Sequence, residues 1–141
     1  DLAPDDLAPD DVPGRRLRLP YRADAPFGFV HLPDLGEAAA RVLLEEGHDA
    51  ATYQLASFAG SVGEVAALAG VTVEQISPEE WASHEGTGLE DRVRSWLMAM
   101  FASYQRGGLP VPTSDMSRLL GRPPTTMRQA VAAARAPIGE D

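Results

Sequence analysis

The residues able to do chemistry in this 141-residue chain are three histidines, three tyrosines and twelve basic residues, every one an arginine. With no cysteine there is no thiol nucleophile, disulfide or zinc–thiolate site. With no lysine there is no Schiff base, no Walker-type phosphate loop and no Tyr-x-x-x-Lys pair. His31, His48 and His84 lie far apart and match no H-x-x-x-H spacing, so no metal site is expected. No G-x-S-x-G elbow occurs to expose a serine nucleophile. Gly60 and Gly63 in AGSVG stand between an expected strand and an expected helix. A dinucleotide loop needs more glycines than these two, so a plain turn and helix cap is expected there, and no residue is assigned to cofactor binding. Trp81, Trp96, Met100, Phe101 and Tyr104 cluster on two neighbouring helical stretches. Such a set reads as ordinary core or as the lining of a small-molecule pocket. The substrate-binding candidates are Trp96, Met100, Phe101, Tyr104 and His31, with Tyr104 and His31 as the acid–base candidates.

The elements that must position these residues alternate in type. LRLPY (17–21) and FGFVHL (27–32) read as short strands with a turn-forming segment between them. Asp34 with Glu37 has the spacing of a capping box, and Leu35, Ala38, Ala39, Val42 and Leu43 form one apolar helical stripe ended by Gly47. ATYQLAS (51–57) reads as a strand, Ser61 to Ala69 as a helix closed by Gly70, and VTVEQI (71–76) as a strand. Ser77-Pro78-Glu79-Glu80 carries a serine cap, proline in the first turn and glutamate at the third position, so a helix starts there. The widest apolar face belongs to a helix from about Leu89 to Arg106, stopped by Gly107-Gly108 and the prolines of LPVPT. Two short helices follow, near 114–120 and 125–135.

Charge is unevenly spread. Residues 1–91 hold eighteen acids against five arginines, whereas residues 92–135 hold seven arginines against Asp115 alone. This layout suits two halves that attract each other or a partner, or else an anion site. The opening tandem DLAPD repeat is too polar to order itself and reads as a flexible acidic tail over 1–14, with a second short tail at 138–141. SVGEVAALAGVTVEQI (61–76) has helix-turn-helix spacing. Its would-be recognition segment carries Glu74, Glu79 and Glu80, no arginine, and Pro78, so binding to nucleic acid is not expected. No stretch approaches the ~18 apolar residues of a membrane span and the start is acidic, so a cytoplasmic location without membrane contact is expected.

Several motifs in order resemble the second half of the NmrA-like proteins, atypical members of the short-chain dehydrogenase superfamily. They are Val30-His31-Leu32-Pro33-Asp34-Leu35-Gly36, then Leu44-Glu45-Glu46-Gly47-His48 through Tyr53-Gln54-Leu55, SVGEVAALAG, SPEEW, a long helix ending Y-x-x-G-G, and LLGRPPTT. The likeness covers about residues 17–135, with His31 where the family commonly has aspartate. It implies an α/β fold: the C-terminal lobe of an NmrA-like Rossmann-type protein, with about four short strands, packed helices and a helical C-terminal part, over residues 15–137. It also implies that the glycine-rich half that holds the dinucleotide is not among these residues. The chain is therefore expected to bind no cofactor itself, and NAD(P) only if a Rossmann-type half completes it. The chain opens on Asp, in keeping with a fragment or a processed product. The function expected is a small-molecule or partner-binding lobe derived from an oxidoreductase or redox-sensing regulator, not a self-sufficient dehydrogenase. A stand-alone cofactor-free isomerase or cyclase is the alternative, and a helix-turn-helix module a more distant one. Open strand edges predict association, with a second copy or with a separate Rossmann-type chain.

Overall fold

The computed structural model describes residues 15–135. Both expected tails, 1–14 and 138–141, lie outside the described residues. Four short strands and six helices follow in the order expected. Strand β1 (Arg16–Leu19) pairs in parallel with β4 (Thr72–Gln75), Leu17 opposite Val73. Strand β2 (Pro26–Phe29) pairs antiparallel with β3 (Phe58–Ser61), Phe29 opposite Phe58. The two pairs are separate sheets.

Where the capping signal is local, the sequence and the structure agree. Helix α2 (Val62–Ala69) begins at a complete capping box between Ser61 and Glu64 and closes at Gly70. Helix α3 (Pro78–His84) begins at Ser77, whose hydroxyl accepts from the Glu80 amide, with Pro78 in the first turn. Helices α4 (Asp91–Gly107), α5 (Ser114–Leu120) and α6 (Met127–Arg135) complete the chain.

Three expectations are overturned. Helix α1 spans Leu32–Leu44, so it starts ahead of Asp34, with His31 at the cap and Pro33 in the first turn. Asp34 lies inside the helix, 1% exposed, and is not the head of a capping box. The helix ends at Leu44, and Gly47 occupies a left-handed turn beyond it. Residues 51–57 form no strand, because no strand among the described residues lies alongside to pair with them; β3 begins at Phe58 instead. The segment after α2 is a strand, as read from its alternation, and not the second helix of a helix-turn-helix: it is β4, paired with β1.

The main core joins α1 to α5. Ala38, Met116, Leu119 and Leu120 are buried together, and Val42, Tyr53 and Leu55 pack against them. Leu19 and Ile76 are buried at the far end of the parallel pair, where the Ile76 amide donates to the Leu19 carbonyl at 2.9 Å. Helix α4 is tied to β2 through its terminus. The Leu109 amide donates to the Pro26 carbonyl at 2.8 Å and the Gly28 amide donates to the Leu109 carbonyl at 3.0 Å. Gly108, next to Leu109, has φ 66° and ψ −152°, a conformation open essentially to glycine alone. A β-carbon at this position would also run into the backbone of Pro26. Gly108→Ala is therefore expected to cost about 2 kcal/mol or more of folding stability. Urea unfolding should show the midpoint falling while the slope stays unchanged.

Candidate functional site

A buried carboxylate organises the first of two candidate regions. Asp34 accepts from the Thr125 amide at 2.8 Å, from the Thr125 hydroxyl at 3.1 Å and from the Arg122 guanidinium at 3.1 Å. Arg122 also donates to Glu37 at 2.6 Å, and Glu37 takes a longer bond from Arg41. Ser57 donates to Asp34 while its oxygen accepts from the His31 amide at 3.0 Å. Burial pushes the Asp34 carboxyl up, but the hydrogen bonds from Thr125, Ser57 and Arg122 outweigh it and hold it below its ordinary range. Bonding to Arg122 likewise holds Glu37 low, and bonding to Glu37 and then Asp34 holds Arg122 high. The His31 ring is set against this cluster. Its Nδ1 lies 4.0 Å from the Asp34 carboxylate, is itself buried and has no hydrogen-bond partner among the described residues.

The second region is an aromatic row on one face of the β2–β3 pair. Phe27 and Phe29 lie two residues apart on β2, on one face. Phe29 stacks on Phe58 at 5.3 Å, and Tyr104 meets Phe27 edge-on at 4.9 Å and Tyr21 at 5.3 Å. Phe101, 6% exposed, fills the space beneath, stacked on Tyr21 at 5.9 Å and met edge-on by Trp81 at 4.7 Å. Burial raises the Tyr21 hydroxyl above its ordinary range, and the nearby Tyr104 adds to this.

The candidate residues thus divide. Tyr104 and Phe101 belong to the aromatic row, and Phe101 is core. Met100 is half-buried on α4, and Trp96 is 66% exposed beside Arg92 and Val93, lining a shallow depression of about 260 Å³ whose walls come from α4 alone. His31 sits on the carboxylate cluster. Three residues of largely extended chain lie between it and Phe27, ~13 Å of backbone from Phe27 to His31, and among the described residues no ring contact or hydrogen bond joins Tyr104 to His31. Reading the sequence missed Asp34, Ser57, Arg122 and Thr125 as a group, and only the out-of-place proline ahead of Asp34 could have signalled it. Tyr21, Phe27 and Phe58 were also missed, although two β2 phenylalanines at period two are a readable signal.

The AGSVG segment does not fit a pyrophosphate. Met127 occupies the space over Gly60, the Gly63 amide donates to the Ala23 carbonyl at 2.9 Å, and Glu64 accepts from the Ser61 amide at 2.7 Å. The amides that would meet an anion are taken, with a carboxylate among them. No group of metal-binding side chains occurs among the described residues, and no helix among them is long and apolar enough to cross a membrane.

Over 107 residues the chain is 30% identical to quinone oxidoreductase 2 of Escherichia coli, covering 70% of this chain and 37% of that protein. The chain is homologous to part of that enzyme. The crystal structure of the E. coli NADPH-dependent quinone oxidoreductase superposes with a TM-score of 0.68 at 27% identity, over 85% of this chain and 46% of that one. Its complex with NADPH matches equally, at 28% identity. Triphenylmethane reductase of Citrobacter sp., at 23% identity and a TM-score of 0.68, shares the fold. The fold is that of the NAD(P)-binding reductases, with a helical C-terminal part, and the chain spans less than half the length of these relatives. No protein-family model matches the sequence.

The carboxylate cluster and the aromatic row give separable predictions. Because the folded-state Asp34 carboxyl is held below its ordinary value of 3.8, its contribution is full above about pH 4 and fades as pH falls through the lower folded value. Asp34→Asn is expected to cost about 2–3 kcal/mol at neutral pH. Its stability deficit against the parent protein should shrink in melts taken progressively below pH 4. Tyr104→Phe should change stability by less than about 0.5 kcal/mol, whereas Tyr104→Ala, which removes two edge-on contacts, should cost about 2–3 kcal/mol in the same melts.

Proposed function

We propose that residues 15–137 form the substrate-side lobe of an NmrA-like NAD(P)-dependent oxidoreductase or redox-sensing regulator. In this reading the lobe binds a small molecule or a partner, carries no dinucleotide site of its own, and works when a Rossmann-type half completes it. The observation that carries the reading is the homology to an NADPH-dependent quinone oxidoreductase of which this chain matches 46% or less. Two features support it. Gly60 and Gly63, on either side of the β3–α2 junction, leave no open anion cradle: Met127 lies over Gly60 and the junction is closed by the Ser61–Glu64 capping box. The aromatic row of Tyr21, Phe27, Phe29 and Tyr104 offers flat apolar surface to a ligand, with tyrosine hydroxyls to orient it. A cofactor-free acid–base enzyme would need Tyr104 and His31 at one bond of the substrate, and their separation does not favour it.

Titration calorimetry with NADPH and NADH tests the reading directly. The chain alone is expected to give no heat of binding at concentrations of about 100 μM, a range that would register any Kd in the micromolar range. Micromolar binding of either dinucleotide to the chain alone would sink the proposal.

A further inference from the structure

One buried polar atom is left over from the carboxylate cluster. The Nδ1 of His31 is shut away from solvent, lies 4.0 Å from the Asp34 carboxylate and has no hydrogen-bond partner among the described residues. Its place at the cap of α1 does not explain it. A capping side chain accepts from first-turn amides, but the His31 ring makes no such bond, and Pro33 has no amide to offer. The backbone that carries the ring is nevertheless held on both sides. The His31 amide donates to the Ser57 oxygen at 3.0 Å and the His31 carbonyl accepts from the Leu35 amide at 3.1 Å. Ser57 in turn donates to Asp34, so ring and carboxylate are fixed to one another through a third residue.

A neutral imidazole has one N–H and one lone pair, and the surroundings decide which nitrogen carries which. Here Nδ1 faces a carboxylate that Thr125, Ser57 and Arg122 keep ionised. The other charges of the cluster, Arg122 and Glu37, are bound to each other at 2.6 Å. A lone pair on Nδ1 would turn buried negative density toward buried negative charge, where low dielectric magnifies the cost. A proton on Nδ1 turns the positive end of a bond toward the carboxylate instead. Asp34 already accepts four hydrogen bonds, so it acts on the ring through its field across 4.0 Å. The second nitrogen is placed differently. The His31 side chain is 23% exposed and Nδ1 supplies almost none of that, so the opening lies on the rest of the ring, where Nε2 stands across from Nδ1.

We propose that Asp34 is a positioning residue for His31: it fixes the imidazole with its proton on Nδ1 and leaves Nε2 as an unprotonated acceptor at the open edge of the ring. Such a nitrogen recognises a donor, the O–H of an uncharged phenol or alcohol. An ionised carboxylate has no proton to offer, and it would approach a site that already holds Asp34 and Glu37. The tautomer rests on the cluster alone, and the ligand class rests on the function proposed above, in which the lobe binds a small molecule. A histidine that merely fills space at the helix cap would keep the Nε2–H form that imidazoles prefer in water.

Long-range proton–nitrogen NMR of the 141-residue chain at about pH 8.5, above the range in which imidazoles ordinarily take up a proton, reads the tautomer directly. His31 should show a protonated Nδ1 and an unprotonated Nε2, its signals identified by their loss in His31→Gln. An Nε2–H ring, or an even mixture, would overturn the proposal. Asp34→Asn removes the charge and should return the ring toward the Nε2–H form; an unchanged tautomer in the folded variant would also overturn it. Should that variant fail to fold, the parent spectrum still decides. Diethyl pyrocarbonate, which acylates an unprotonated imidazole nitrogen, checks the open edge. It should modify His31 at Nε2, and a His31 left untouched while the exposed His84 reacts would show the nitrogen closed off and sink the idea. Phenol at about 10 mM should shift the His31 Nε2 signal, whereas anisole and benzoate should not. Equal shifts from phenol and anisole would overturn the ligand class. None of these spectra involves a dinucleotide, so the proposed function stands or falls separately on the NADPH titration.

Discussion

The Asp34 carboxylate is the contact on which the described fold turns. It sits inside the first turns of α1, yet its partners come from the loop between α5 and α6 and from the segment leading into β3. A carboxylate taken out of water is tolerated only when each oxygen is met, and here an amide, two hydroxyls and a guanidinium meet it. Because Ser57 also takes the His31 amide, the same group fixes the end of β2 relative to α1. The α1–α5 core and the end of β2 that carries Phe29 are thereby joined by polar contacts.

That dependence follows from a thin interior. Among the described residues, four of the ten buried hydrophobic side chains are alanines, and of the long apolar ones only Met116 and Leu120 are almost fully enclosed. Helix α4 has an apolar arc over half its girth, but Phe101 alone is buried on it. Alanine-rich contacts bring backbones close and bury little surface each, so specific hydrogen bonds decide the arrangement of elements.

What could be read from the sequence separates cleanly by range. The starts of α2 and α3 and the glycine after α2 are written within four residues of where they act, and all were legible. Asp34 was misread because a cap signal and a buried acid look alike until the partner 91 residues away is known. Residues 51–57 have strand chemistry and form no strand, since a ladder is a property of two segments and the second is not among those described. The aromatic row was half legible: Phe101 and Tyr104 announced themselves on α4, while Tyr21 and the β2 and β3 phenylalanines join only through pairing across the sheet.

The two sheets also differ in how the chain must assemble them. The antiparallel pair β2–β3 encloses α1 and the turn after it, whereas the parallel pair β1–β4 must wait until β2, α1, β3 and α2 have all been drawn in between. Closing that longer loop costs more chain entropy before a single ladder bond forms, and parallel pairing returns slightly less per residue. The β1–β4 contact thus closes the longer of the two loops and draws the first and fourth strands together across most of the elements between them.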